Sequence, residues 1–184
     1  MNIRNQKLTR AGLVAAAIAA AFAVVPAAHA QKVVKLGVIM PMSGPNAAFG
    51  NTSLNGIKLA VEEFNAKGGV KSLGGAKIEL VVADIPQPNA AAAATQRLIS
   101  QERVSGVIGS FVSSVTIAAS EVTERAGVPL ITFAFADEIT GRGYKNVFQV
   151  SPKGSVVGRA QFDYALGLTK QAGEPVKKVA ILYE

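Results

Sequence analysis

Residues Val33 to Asn65 read VVKLGVIMPMSGPNAAFGNTSLNGIKLAVEEFN. The stretch opens on an apolar run, Val33 to Ile39, rich in β-branched residues and suited to a buried strand. A loop holding Pro41, Gly44, Pro45 and Gly50 follows. Leu54, Ile57, Val61 and Phe64 then recur at helical spacing, so one stripe of a helix faces a core. Strand, Gly/Pro loop and helix make the first half of a βαβ unit. Sheets built from such units bind ligands where the loops leave the carboxyl ends of the strands.

The same alternation continues outward. Gly68-Gly69 ends the first helix and Gly74-Gly75 turns the chain. Lys77 to Ala83 reads as the second strand, ending at Asp84, and Asn89 is placed to cap a helix running to about Arg103. The alanine run Ala90 to Ala94 suits close packing of that helix on the sheet. Val104 to Gly109 is a third strand. Ser113 or Ser114 then caps a helix with the stripe Val115, Ala118/Ala119, Val122 and Ala126, closed by Gly127. Val128 to Phe133 is the fourth strand, and Phe148 to Val150 a short extended segment. A helix from about Ser155 to Gln171 and a strand-like run, Val179 to Glu184, complete the chain. This order predicts an α/β fold with a doubly wound parallel sheet and right-handed crossovers. A strand ending the chain would lack helices to cover it, so the sequence is expected to be a fragment of a longer protein. Pattern and composition change near Val150 to Lys153, the expected domain break.

The first thirty residues read as an export signal. Arg4, Lys7 and Arg10 form the basic start, Ala11 to Val25 the apolar segment, and Ala28-His29-Ala30 the small-x-small cleavage site. An apolar segment of that length falls short of the roughly 20 residues needed to span a bilayer. No cysteine is present to carry a lipid or form a disulfide. The chain has 19 basic and 12 acidic side chains, and three of the basic ones leave with the signal. The remaining excess is mild and scattered, without the concentrated basic face that nucleic acids require. The one histidine, His29, also leaves with the signal. Without histidine or cysteine, Asp84 and Asp137-Glu138 lack the partners for a metal cluster or a catalytic pair, and capping or turn formation accounts for them better. No metal, cofactor or catalytic residue is therefore expected.

With these elements placed, the chain resembles the leucine/isoleucine/valine-binding protein family, the amino-acid-binding receptors of ABC importers, from Lys32 to Glu184. MPMSGPNAAFG with its Ser43-Gly44-Pro45 turn, NGIKLAVEEFNAKGGV, ADIPQPNAAAAATQRLI, VIGSFVSS, AGVPLITFAFADEITGRGYKNVFQVSP and KKVAILYE each look like the family's corresponding segments, in the right order. The resemblance implies a type I periplasmic binding protein-like architecture, two hinged α/β lobes closing on a solute. Residues 1–30 would then be the signal peptide, 31–150 an incomplete first lobe, and 151–184 the start of the second. It also implies a small-molecule ligand, an amino acid or a similar aromatic or aliphatic carboxylate, delivered to the membrane permease of an ABC importer; the export signal with no cysteine behind it implies a periplasmic location without lipidation.

Candidate ligand contacts lie at the strand ends. Free amides at the helix start near Ser113 and Ser114, with a hydroxyl alongside, suit a carboxylate, although serines cap helices with no ligand involved. A charge-assisted hydrogen bond contributes about 1.5–3 kcal/mol and the helix dipole about 0.3–1 kcal/mol, so several together can hold a carboxylate. The resemblance assigns that role to Ser113. It implies that the Ala134 carbonyl takes a ligand ammonium, and it places Ala136 where the family has a hydroxyl, which opens the site to aromatic or other carboxylated solutes. Phe49 falls at the implied pocket mouth or packs on its own helix; Phe111 lines the pocket or the core. Two further readings remain open: a ligand-sensing domain of a signalling system, and an exported α/β hydrolase using Ser113.

Overall fold

The structure, a computed structural model, describes residues 33–174 and 176–180. The expected export signal lies outside the described residues, as do Ile181 to Glu184 of the expected terminal strand; Val179 and Ala180 are described and carry no strand. Five parallel strands form one sheet: β1 (Val33–Met40), β2 (Lys77–Asp84), β3 (Gly106–Gly109), β4 (Leu130–Thr132) and β5 (Val147–Gln149), in the order β2-β1-β3-β4-β5. Five α-helices alternate with them or follow: α1 (Ala47–Ala66), α2 (Ala91–Ser100), α3 (Ser113–Ala126), α4 (Glu138–Gly141) and α5 (Gly154–Gln171). The doubly wound parallel sheet expected from the sequence is thus present. Its winding reverses at β1, which pairs with β2 from Val33↔Lys77 to Met40↔Asp84 and with β3 from Leu36↔Gly106 to Ile39↔Gly109.

Strand geometry explains the two core clusters. Successive side chains of β1 point to opposite faces of the sheet. Val38 and Met40 pack with Leu54 of α1, whereas Ile39 joins a larger cluster with Leu98 of α2, Val115 and Ala119 of α3, and Val107 and Leu130. Helices therefore cover both faces of β1, as a parallel sheet demands. The α1 stripe fades outward: Leu54 is buried, Ile57 and Val61 are half-buried, and Phe64 is 44% exposed. Along α5 no residue is buried, and Val156, Phe162, Tyr164, Leu166 and Leu168 stay exposed.

Several boundaries differ from the sequence reading, each for a local reason. Helix α2 stops at Ser100, short of Arg103, because Arg103 turns the chain at φ +57 and the Val104 amide closes on the Leu98 carbonyl. Strand β4 is shorter than expected at both ends. The Val128 amide is committed to the Thr123 carbonyl, Pro129 has no N–H, and the Ala134 amide turns to Thr132 Oγ1 at 3.1 Å. The short segment near Phe148 belongs to the sheet, as an edge strand with Thr132↔Gln149 in register. Asn89 and the serines at 113 and 114 do not cap helices. The residues preceding α2 and α3 are Ala90 and Val112, and neither helix has a side-chain cap.

Candidate functional site

The strand order reverses at β1, and in α/β sheets the loops that diverge at such a point frame the ligand crevice at the carboxyl ends of the strands. Phe49, in the first turn of α1, stands there 70% exposed. Its ring lies 6.1 Å from that of Phe111, which stacks on Phe133 with centroids 6.4 Å apart and planes inclined at 26°. Aromatic pairs at such separations add about 0.5–1.5 kcal/mol beyond burial. Phe111 and Phe133 are anchored on the Val38/Met40/Leu54 cluster, so the row grows out of the core towards Phe49. Of the two sequence readings of Phe111, the packing on a core cluster is what the structure describes.

Ser113 is the first residue of α3, and its side chain turns away from its own helix. Ser113 Oγ accepts a hydrogen bond from the Ala136 amide at 3.2 Å, joining the β3–α3 turn to the turn after β4. The first amides of α3 have no acceptor within the helix and no side-chain cap. A hydroxyl, a backbone amide and a helix start therefore converge, an arrangement suited to an anion.

Ala134 stands differently from its expected role. It is fully buried, and its carbonyl accepts from Gln149 Nε2 at 2.8 Å and Ser151 Oγ at 2.5 Å. Both lone pairs are engaged internally, so the carbonyl is no open acceptor for an ammonium. Ala134 shapes the turn; Gln149 and Ser151, not singled out as site residues in the sequence, hold it.

Beneath the turn lies a buried hydroxyl network that sequence reading also missed. Thr132 Oγ1 donates to the Ser110 carbonyl at 2.7 Å, accepts from the Ala134 amide, and lies 3.3 Å from Thr116 Oγ1. Thr116, Ser110 and Thr132 are all fully buried. Hydroxyls are ordinary in such strands and helices, and nothing in their spacing signals that these three meet.

Two carboxylates fix the surroundings. Asp84 Oδ1 accepts from the Met42 amide at 2.7 Å and the Ser43 amide at 3.3 Å, which shapes the loop after β1. Asp137 accepts from the Ser155 amide at 3.0 Å and from its hydroxyl, seating the start of α5. The Ser155 hydroxyl, then the Ser155 amide, and to a smaller degree Lys153, hold the Asp137 carboxyl below its ordinary range. A depressed folded-state value means that its contribution is present above the unfolded-state value and is lost as pH falls through the folded-state one. Denaturation of Asp137→Asn beside wild type is accordingly expected to show a stability gap near neutral pH that closes below about pH 4. A gap independent of pH would show that the Asp137 charge is not what seats α5.

Among the described residues no group of histidine and acidic side chains is arranged to hold a metal, and no helix is long and apolar enough to cross a membrane. Hollows of about 450 and 530 Å³ along α5 involve none of the five expected contact residues.

Residues 33–184 match the family described as periplasmic binding protein. The chain is similar to Leu/Ile/Val-binding protein homolog 7 of Brucella suis biovar 1 (strain 1330), 42% identical over 178 residues, which covers 94% of this chain and 43% of that protein. It thus spans about two fifths of the length of such curated relatives. Among solved structures it is similar to LivJ, a branched-chain amino acid transporter substrate-binding protein of Streptococcus pneumoniae in complex with isoleucine. The TM-score is 0.62 and the identity 36%, over 66% of this chain and 34% of that one. A solute-binding protein of an R. palustris ABC transporter, in complex with benzoate, superposes with a TM-score of 0.66 and 29% identity, over 74% of this chain and 37% of that one.

Proposed function

Because the chain belongs to the periplasmic binding protein family, we propose that it is the solute-receiving part of an extracytoplasmic receptor that delivers a small carboxylated solute to an ABC importer. The observation that carries this reading is the convergence of Ser113 Oγ and the Ala136 amide, 3.2 Å apart, at the uncapped start of α3. Isoleucine and benzoate, the solutes of the two similar receptors, share a carboxylate and little else. In this reading the carboxylate enters between Ser113 and Ala136 and takes the hydrogen bonds that the turn now makes to itself. Phe111 and Phe49 face the apolar body of the solute. Residues 31–150 form the first lobe, and the chain crosses into the second near Val150 to Lys153.

Such a receptor needs no nucleophile or general base and is not an enzyme, so Ser113 acts as a ligand contact. Export to the periplasm follows from the leader read in the sequence, and a membrane permease is the implied partner.

Calorimetry on the full-length protein, with isoleucine and benzoate as probes, tests the reading. The better ligand is expected to bind at least tenfold more weakly to Ser113→Ala. Ser114→Ala, whose side chain is exposed, is expected to bind as wild type does. Binding of neither probe, or equal affinity in Ser113→Ala, rejects the proposed site.

A further inference from the structure

Helix α1 has two buried residues, Gly50 and Leu54, which lie four apart and so on one face. Leu54 packs with Val38 and Met40, whereas Gly50 lies against the backbone of the buried Pro41, in the loop that leaves β1. A Cβ at Gly50 would sit 1.9 Å from the Pro41 carbonyl oxygen and 2.8 Å from its carbon. The backbone of Gly50 is that of an ordinary helix, without the positive φ found at Gly44 or Gly109, so space is what keeps a glycine there. Glycine weakens a helix interior, and its presence in α1 therefore marks the close approach. The loop has little freedom to yield. Asp84 accepts from the Met42 and Ser43 amides, and the Ile85 amide donates to the Met40 carbonyl at 2.8 Å. Asn51 Nδ2 adds a second tie, donating from α1 to the Met42 carbonyl at 3.4 Å.

Phe49, the residue before Gly50, is 70% exposed, so its place depends on the helix backbone that carries it more than on burial. Its ring meets that of Phe111 at 6.1 Å, and Phe111 is anchored on the cluster of Val38, Met40 and Leu54. A side chain at position 50 must lift the head of α1 off Pro41 by about 1 Å, and a displacement of that size is enough to spoil a preorganised contact. The shift passes directly to Phe49, while Phe111 stays with the core.

We infer that the seat of α1 on the loop after β1, made by Gly50 against the Pro41 carbonyl, is what positions Phe49 for the solute. Gly50 is then a positioning residue that acts through its neighbour. This deepens the receptor reading and rests on it. Calorimetry on the full-length protein, with the tighter-binding of benzoate and isoleucine as probe, compares wild type, Phe49→Ala, Gly50→Ala and the double variant. Each single variant is expected to bind at least about fivefold more weakly, as the loss of one aromatic contact implies, and the double variant to match Phe49→Ala within about twofold. A merely structural glycine would lower the denaturation midpoint with and without Phe49, but would not tie its effect on affinity to that ring. If Gly50→Ala fails to fold, Asn51→Ala loosens the same seat without a clash. It is expected to weaken binding at least about twofold with Phe49 present and not at all in the Phe49→Ala background. A smaller loss in any of these single variants, or a loss that persists undiminished without Phe49, overturns this inference and leaves the carboxylate site at Ser113 standing. If wild type binds neither probe, the receptor reading falls and this inference with it.

Discussion

Gly109→Ala is expected to destabilise the full-length protein by roughly 3–5 kcal/mol, the sum of backbone strain and overpacking. Gly109 is the last residue of β3, with φ +111, where a side chain is rarely tolerated. A Cβ there would sit 2.2 Å from the carbonyl oxygen of Ile39 and 3.0 Å from the end of the Met40 side chain. The oxygen belongs to the backbone of β1 and cannot move without breaking the register Ile39↔Gly109. A methyl group must therefore push apart the two strands that flank the crevice. Gly56→Ala supplies the contrast. It lies inside α1 with nothing within 4 Å of the added carbon, and should stabilise the helix by about 0.5–1 kcal/mol. Chemical denaturation of both variants gives the comparison, and equal midpoints would contradict the close approach described for Gly109.

Thr132→Val is expected to cost about 2–4 kcal/mol even though it preserves shape. The substitution removes the donor to the Ser110 carbonyl and the acceptor of the Ala134 amide, leaving that buried amide without its partner. It also removes one of the ties between the turn after β3, which leads to Ser113, and the turn after β4, which carries Ala136. Stability and solute affinity should fall together. Thr132→Ser keeps the hydroxyl and should lose only about 0.5–1.5 kcal/mol, the cost of one buried methyl. Denaturation midpoints and calorimetry on the full-length protein measure both losses. Should the valine variant match the serine variant in either measurement, the network has no role in holding the two turns.

Much of this architecture was legible in the residues because it rests on repeating patterns. The apolar run at β1 and the spacing of Val115, Ala119 and Val122 reflect burial on a defined face, and Gly127 closes α3 at φ +66 as a helix-ending glycine should. The site was only half legible. Phe49, Phe111 and Ser113 stand out because aromatic residues and a serine at a strand-to-helix turn are recognisable types. The contacts of Gln149, Ser151, Thr116 and Thr132 depend on which segments the sheet brings side by side, and no local pattern records that. The capping expectation at Ser113 failed for the same reason: a cap is a contact within a helix, whereas this hydroxyl found a partner across the sheet. Arg103 is a similar case, a residue in a left-handed turn where spacing alone extended the helix.

The turn from Ala134 to Asp137 is held from two directions. Its Ala136 amide reaches Ser113, while the Phe135 carbonyl and the Asp137 carboxylate seat Gly154 and Ser155 at the head of α5. Any molecule that draws the amide off Ser113 thereby tugs on the very backbone that anchors the departing helix. Occupancy and the bearing of α5 are then expected to share one short lever, and dyes placed on α1 and α5 of the full-length protein test whether their separation changes as solute arrives.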